Sequence, residues 1–289
     1  WKAMLKKENL DAVNVCTPNG LHKQPVIDAL NAGCHVMVEK PLAMNAKEGE
    51  LMLKAAKKNK KQLIIGFQWR YDAKAQMFRN AEKNGQFGDI LFMKAEALRR
   101  RGIPNWGVFG RKDLQGGGPL IDIGVHIMEM AHFIMGSPKP VSASGSIYTY
   151  MGDKKSATKS MWENWDHKTY TVEDLAIGHI KFDNGAIMQV EASFAGHMKD
   201  KWDLSFYGTK GGGNYESGEI YTDQNDHMVT ITPDYLPNVD AFKEKMENYV
   251  DTCLNGTPNI ANGQAGQDIQ KMLDAIYKSA ETGKEVKIS

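Results

Sequence analysis

The chain has 289 residues, 42% of them apolar, which exceeds one typical domain and supports either two domains or one large α/β unit with an appendage. Thirty-six Lys and Arg against 35 Asp and Glu leave a formal charge of +1, so neither nucleic acid nor an anionic membrane is expected as the main partner. Three scattered cysteines (Cys16, Cys34, Cys253), no apolar run near the roughly 18 residues of a membrane span, and no signal-like start at Trp1-Lys2-Ala3 suggest a soluble protein of a reducing cytoplasm.

Residues 1–9 read as the end of a helix, DAVNVC (11–16) as a short buried strand and TPNG (17–20) as a turn. The cycle repeats: LHKQPVIDALNAG (21–33) is a helix stopped by Gly33, HVMVEK (35–40) a strand, NAKEGELMLKAAKKN (45–59) a helix, and QLIIGF (62–67) a strand. Strands alternating with such helices predict βαβ units and a parallel sheet. Beyond residue 68 the pattern changes. A helix over 73–84 leads through Gly85 and Gly88 to the strand DILFMKAEALRR (89–100), and residues 141–235 alternate as antiparallel strands with short turns such as DNGA (183–186). A helix over 119–135 interrupts this part, and an amphipathic helix over 264–281 ends it. We therefore expect an α/β chain with one unit over 1–68 and a second over 69–289.

The stretch VMVEKPLAM (36–44) ends a buried strand in two opposite charges set against a proline. Ligands of parallel sheets bind beyond the carboxyl ends of the strands, where both TPNG and Glu39-Lys40 fall, so the two turns face one crevice. Pro41 restricts Lys40 to extended backbone and aims its side chain. Lys40 is then either a chemical group of the crevice or half of a strand-end salt bridge. Asp122 and His126 are four apart on one helix face, where the carboxylate can orient the imidazole for acid–base work or simply form a polar pair at an interface. Gly124 between them costs a helix about 1 kcal/mol against alanine, which points to a close approach at that backbone. No metal site is expected, since two ligands are too few.

TPNGLH (17–22), AGCHVMVEKPLA (32–43), GFQWRYD (66–72), GGGPLIDIGVH (116–126) and VED (172–174) followed by FDNGA and EASFAGH resemble, in order, the glucose-fructose oxidoreductase/inositol dehydrogenase/rhizopine catabolism (Gfo/Idh/MocA) family. The resemblance implies an NAD- or NADP-dependent oxidoreductase acting on the CH–OH group of a sugar, sugar derivative or inositol. It implies a Rossmann domain, doubly wound with a parallel sheet, and then an α/β domain whose open, largely antiparallel sheet mediates a homo-oligomer, dimer or tetramer. Lys40, Asp122 and His126 would be the catalytic set; Thr17, Pro18, Asn19, His22, Glu39, Lys40, Gln68 and Arg70 would line the cofactor; and the Lys40–Pro41 bond would be cis. The family opens with a strand, a G-x-G-x-x-G turn and a ribose-reading position that these residues do not contain, so residues 1–68 are expected to be the C-terminal part of a Rossmann domain.

Arg99, Arg101, Trp106, Trp162, Trp165, His167 and Tyr170 suit a polyhydroxylated ring, with apolar faces stacked and hydroxyls hydrogen-bonded, although for any one of the tryptophans ordinary packing is the stronger reading. In the expected chemistry His126 accepts the substrate hydroxyl proton, directly or through Lys40, and Asp122 orients the imidazole. Two other functions fit the same motifs: an NAD-dependent glycosidase or epimerase working by transient oxidation, and a non-catalytic sugar or cofactor sensor.

Overall fold

A computed structural model describes residues 1–289. The first unit comprises α1 (Lys2–Lys7), β1 (Ala12–Val15), α2 (Lys23–Asn31), β2 (His35–Val38), α3 (Ala46–Asn59) and β3 (Leu63–Ile65). The three strands pair in parallel in the order β1-β2-β3, with Val15 opposite Val38 and Val38 opposite Ile65, so their carboxyl ends lie level. The outer edge of β1 has no strand partner. Val36 and Val38 of β2 enter the main core while Met37 packs the other way with Ile64 and Tyr249. This is why β2 reads as an unbroken apolar run: both its faces are covered.

The second unit continues with α4 (Ala73–Lys83), β4 (Ile90–Leu98), α5 (Lys112–Gln115), a π turn (Leu120–Gly124) running directly into α6 (Val125–Ile134), and β5 (Pro140–Tyr148). There follow β6 (Leu175–Phe182), β7 (Ile187–Ser193), β8 (Lys201–Gly208), β9 (Gly211–Asn214), β10 (Glu219–Gln224), β11 (His227–Ile231), α7 (Ala241–Asn255), α8 (Gly263–Thr282) and β12 (Val286–Lys287). The sheet runs β11-β10-β9-β8-β4-β7-β6-β5-β12. β4 and β7 are parallel and the other neighbours antiparallel. Nine of the ten residues of α6 are buried, as expected of a helix packed on several sides. No helix is long and apolar enough to cross a membrane.

Two features depart from the sequence expectation. Residues 149–174 form an irregular loop rather than strands, and residues 241–255 form a helix that the sequence reading left unassigned. That helix and the segment after it return to the first unit. The Tyr249 hydroxyl donates to the carbonyl of His35 at 3.1 Å, and Ile65 N–H donates to the carbonyl of Ala261 at 2.8 Å.

One buried guanidinium ties these parts together. Arg70, in the turn after β3, donates through Nε to Glu129 of α6 at 2.7 Å and through Nη1 to the carbonyl of Ile260 at 2.7 Å. The rings of Phe67 and Phe133 lie 5.1 and 5.3 Å from its Cζ. Arg70→Met strands the Glu129 carboxylate in the core, and loss of one partner of a buried pair costs about 3–5 kcal/mol. Denaturant unfolding is expected to show that loss, and the double variant Arg70→Met/Glu129→Leu to recover most of it.

Candidate active site

The carboxyl ends of β1, β2 and β3 release the turns that carry TPNG, EKP and GFQWR. The Lys40–Pro41 peptide is cis, as the resemblance implied. The half-buried Lys40 ammonium crosses to the second unit, where it donates to the Asp122 backbone carbonyl at 2.7 Å and to Asp122 Oδ1 at 2.8 Å. Asp122 sits in the π turn, a helical irregularity found often at functional sites. His126 follows on α6, half-buried, its Nδ1 enclosed without a partner and its ring 6.5 Å from that of Trp202.

The expected hydrogen bond from His126 to Asp122 is not formed. The carboxylate turns instead to Lys40, and the intervening π turn removes the regular α-helical spacing on which the pairing argument rested. Gly124 answers to the sheet: a Cβ there would meet Ala192 Cβ of β7 at 3.0 Å. Upstream, the Glu173 carboxylate accepts from Gly118 N at 2.9 Å, Leu120 N at 3.2 Å and the Tyr277 hydroxyl at 2.8 Å, and so caps the turn that presents Asp122.

Burial foremost, and then the positive charges of Lys40, Lys245 and Arg99, hold the His126 imidazole well below its usual range. It is neutral at pH 7 and able to accept a proton. Lys245, from α7, is itself buried and donates to Glu39 Oε1 at 3.1 Å.

Among the residues expected to line the cofactor, several hold the crevice wall through their own hydrogen bonds. Thr17 Oγ1 donates to the Leu21 carbonyl at 3.1 Å, and Asn19 Nδ2 to the Gln115 carbonyl at 2.9 Å. The buried His22 ring lies between the carbonyls of Pro41 (2.9 Å) and Thr17 (2.8 Å), joining the first two turns; burial pushes its imidazole downward. Pro18 is exposed, and Glu39 is half-buried beside Lys245. Gln68 is buried with Oε1 unpartnered. Arg70 does not face this edge, because Glu129, Ile260 and two aromatic rings enclose it in the core. The residues present fit the nicotinamide end of a dinucleotide, since Gln68 Oε1, in the turn after β3, is a buried polar atom without a partner.

Of the residues expected at the substrate, Arg99, Trp162 and Trp106 come together. Arg99 Cζ lies 4.6 Å from the Trp162 ring, which meets the half-exposed Trp106 edge-on at 5.0 Å. The others serve the loop. Trp165 is buried with Nε1 donating to the Gly152 carbonyl at 2.7 Å, and Tyr170 is buried with its hydroxyl donating to the Glu173 carbonyl at 3.0 Å. Arg101 donates to the carbonyls of Gly196 and Arg100, and the half-buried His167 makes no side-chain hydrogen bond. Two residues escaped the sequence reading, Lys245 and Trp202; the latter has a buried indole N–H without an acceptor. An open cavity of about 830 Å³ between α3 and α8 holds none of these residues. No cluster of three or more His, Cys, Asp or Glu is placed to hold a metal ion.

A parallel sheet bearing the EKP turn, with a lysine–aspartate pair and a histidine at the junction with a broad second sheet, defines a Rossmann-type oxidoreductase. Residues 1–67 match the oxidoreductase family with NAD-binding Rossmann fold, and residues 75–213 match the GFO/IDH/MocA C-terminal domain. D-glucoside 3-dehydrogenase of Escherichia coli (strain K12) is 38% identical over 99% of this chain and 82% of its own length. Myo-inositol 2-dehydrogenase of Thermotoga maritima is 26% identical over 99% and 82%. The chain therefore belongs to the Gfo/Idh/MocA oxidoreductase family. An oxidoreductase domain protein from Kribbella flavida superimposes with a TM-score of 0.86 at 25% identity, covering 100% of this chain and 83% of that one. Levoglucosan dehydrogenase in complex with NADH and levoglucosan shares the fold, with a TM-score of 0.84 at 23% identity over 100% and 82%.

The close approach at Gly124 gives a direct test. Gly124→Ala is expected to lower stability by about 1–2 kcal/mol, because overpacking against Ala192 exceeds the gain in helix propensity. Adding Ala192→Gly should relieve the contact, so thermal melts of the single and double variants decide whether the sheet is what demands glycine.

Proposed function

We propose that this protein transfers a hydride between NAD or NADP and the hydroxyl-bearing carbon of a sugar, sugar derivative or inositol. The observation that carries the reading is the Lys40–Asp122 pair at the carboxyl edge of the parallel sheet, with His126 four residues further on at the start of α6. When bound, the nicotinamide cofactor takes up or returns the hydride. Thr17, Asn19, Glu39, Lys40 and Gln68 are the residues that would hold its nicotinamide end. Since Nδ1 of His126 is enclosed, Nε2 is the nitrogen open to a substrate hydroxyl, and it accepts the proton as the C–H bond breaks. Lys40 has committed two of its three N–H donors to Asp122, and the third is free to stabilise charge on the substrate oxygen. Asp122 holds that ammonium in place rather than orienting the imidazole.

The substrate wall consists of Arg99, Trp162 and Trp106. Aromatic faces and single donors of this kind suit a polyhydroxylated ring. The names of the two relatives above, one acting on a D-glucoside and one on myo-inositol, support the same substrate class. We also propose a division into domains at 68/69, a cytoplasmic location, and a homo-oligomer formed through the second sheet.

His126→Ala and Lys40→Ala are each expected to lower kcat by about 10² or more, with cofactor affinity nearly unchanged in His126→Ala, as measured by NAD(P)H formation against glucosides and inositols. Near-normal kcat in both would end the catalytic assignment. Reduced cofactor that never accumulates while the substrate is cleaved or epimerised would favour transient oxidation.

A further inference from the structure

Helix α7 buries three residues on one face, Lys245, Tyr249 and Thr252, and the first of these is a cation. A buried ammonium is unfavourable unless paired. The Lys245 side chain is 4% exposed, and its hydrogen-bond partner is Glu39 Oε1 at 3.1 Å, 206 residues away in sequence. Glu39 is confined on its other side, since a Cβ at Gly66 would lie 2.7 Å from Oε2. Its carboxylate is thus wedged between α7 and the end of β3, and the next residue along is Lys40.

We propose that Lys245 is a positioning residue of the active site: its ammonium clamps Glu39, fixes the turn that aims Lys40 at Asp122, and adds positive charge against His126. The charged groups around His126 are Lys40 from the β2 turn, Lys245 from α7, Arg99 beyond β4 and Asp122 from the π turn. Glu39 is paired with Lys245, and both also act on Cys16 at the end of β1, while Glu39 acts on His22. Three cations thus meet two carboxylates, an excess of positive charge that disfavours an imidazolium. Removing Lys245 takes away one of those cations, so His126 then gains its proton at a higher pH.

The catalytic meaning of this clamp rests on the reading of His126 as proton acceptor, but its first test does not. The imidazole of His126 is titrated by NMR in the full chain without added cofactor, its resonance assigned by its loss in His126→Gln. The wild-type ring is expected to stay neutral to well below the ordinary histidine midpoint of about 6.5. In Lys245→Met the midpoint should rise by about half a pH unit or more, and in Lys245→Arg, which keeps the charge, it should stay near wild type. If Lys245→Met does not fold, Lys245→Gln, whose amide can still donate to Glu39 but carries no charge, should show the same rise. An unchanged midpoint without Lys245, or an equal rise in Lys245→Arg, overturns the proposal. In turnover, the acidic limb of kcat/KM should move upward with the NMR midpoint. A wild-type chain that oxidises no sugar or inositol sinks the proposed function instead, and the titration still decides the clamp.

Discussion

The bridge from Lys40 to Asp122 is the constraint on which the rest of the site depends. It joins a lysine at the end of a parallel strand to a carbonyl and a carboxylate in a π turn of the second unit, at 2.7 and 2.8 Å. Charge-assisted hydrogen bonds of this length have little positional slack. One ammonium therefore sets the separation between the sheet edge and the helix that carries His126. The capping of the π turn by Glu173, the approach of Ala192 to Gly124 and the Arg70–Glu129 pair all steady the receiving side. His22 and Lys245 steady the giving side, one bonded to the Pro41 carbonyl and the other to Glu39.

Much of this was legible in the sequence wherever the signal was local. The alternation of apolar runs with helical patterns announced the parallel strands, and a charged pair before proline at a strand end announced the crevice. Asp122 and His126 were recognisable by type and spacing, but not their partners. Lys40 comes from 82 residues away, and an intervening π turn cannot be read from periodicity. Arg70 shows the same gap: its motif position suggested the cofactor, whereas its surroundings are fixed by Glu129 and Phe133 of a distant helix. In the loop over 149–174, no period distinguishes a buried tryptophan such as Trp165 from one that stacks on Arg99, such as Trp162.

Helix α7 was missed for a different reason. Its pattern is present in Phe242, Met246, Tyr249, Val250 and Cys253, after a capping Asp240 that accepts from Phe242 N and Lys243 N. The run of Lys243, Glu244 and Lys245 makes the segment look solvated. Only the spacing of Lys245 from Tyr249 and Thr252, four and then three residues, signals that one of these charges lies on the inward face.

The return of the chain to its starting sheet has a consequence for how the molecule comes into being. Residues 12–65 are synthesised well before the residues that complete their sheet: one face of β2 and β3 packs on Tyr249, and the carbonyl that receives Ile65 N–H belongs to Ala261. Contacts of such long sequence separation form late and slowly. Until the last fifth of the chain has emerged, Met37 and Ile64 remain open to water and Glu39 has no ammonium to hold it. A chain that has not yet reached those residues leaves this apolar surface uncovered, and exposed surface of that kind is what chaperones bind.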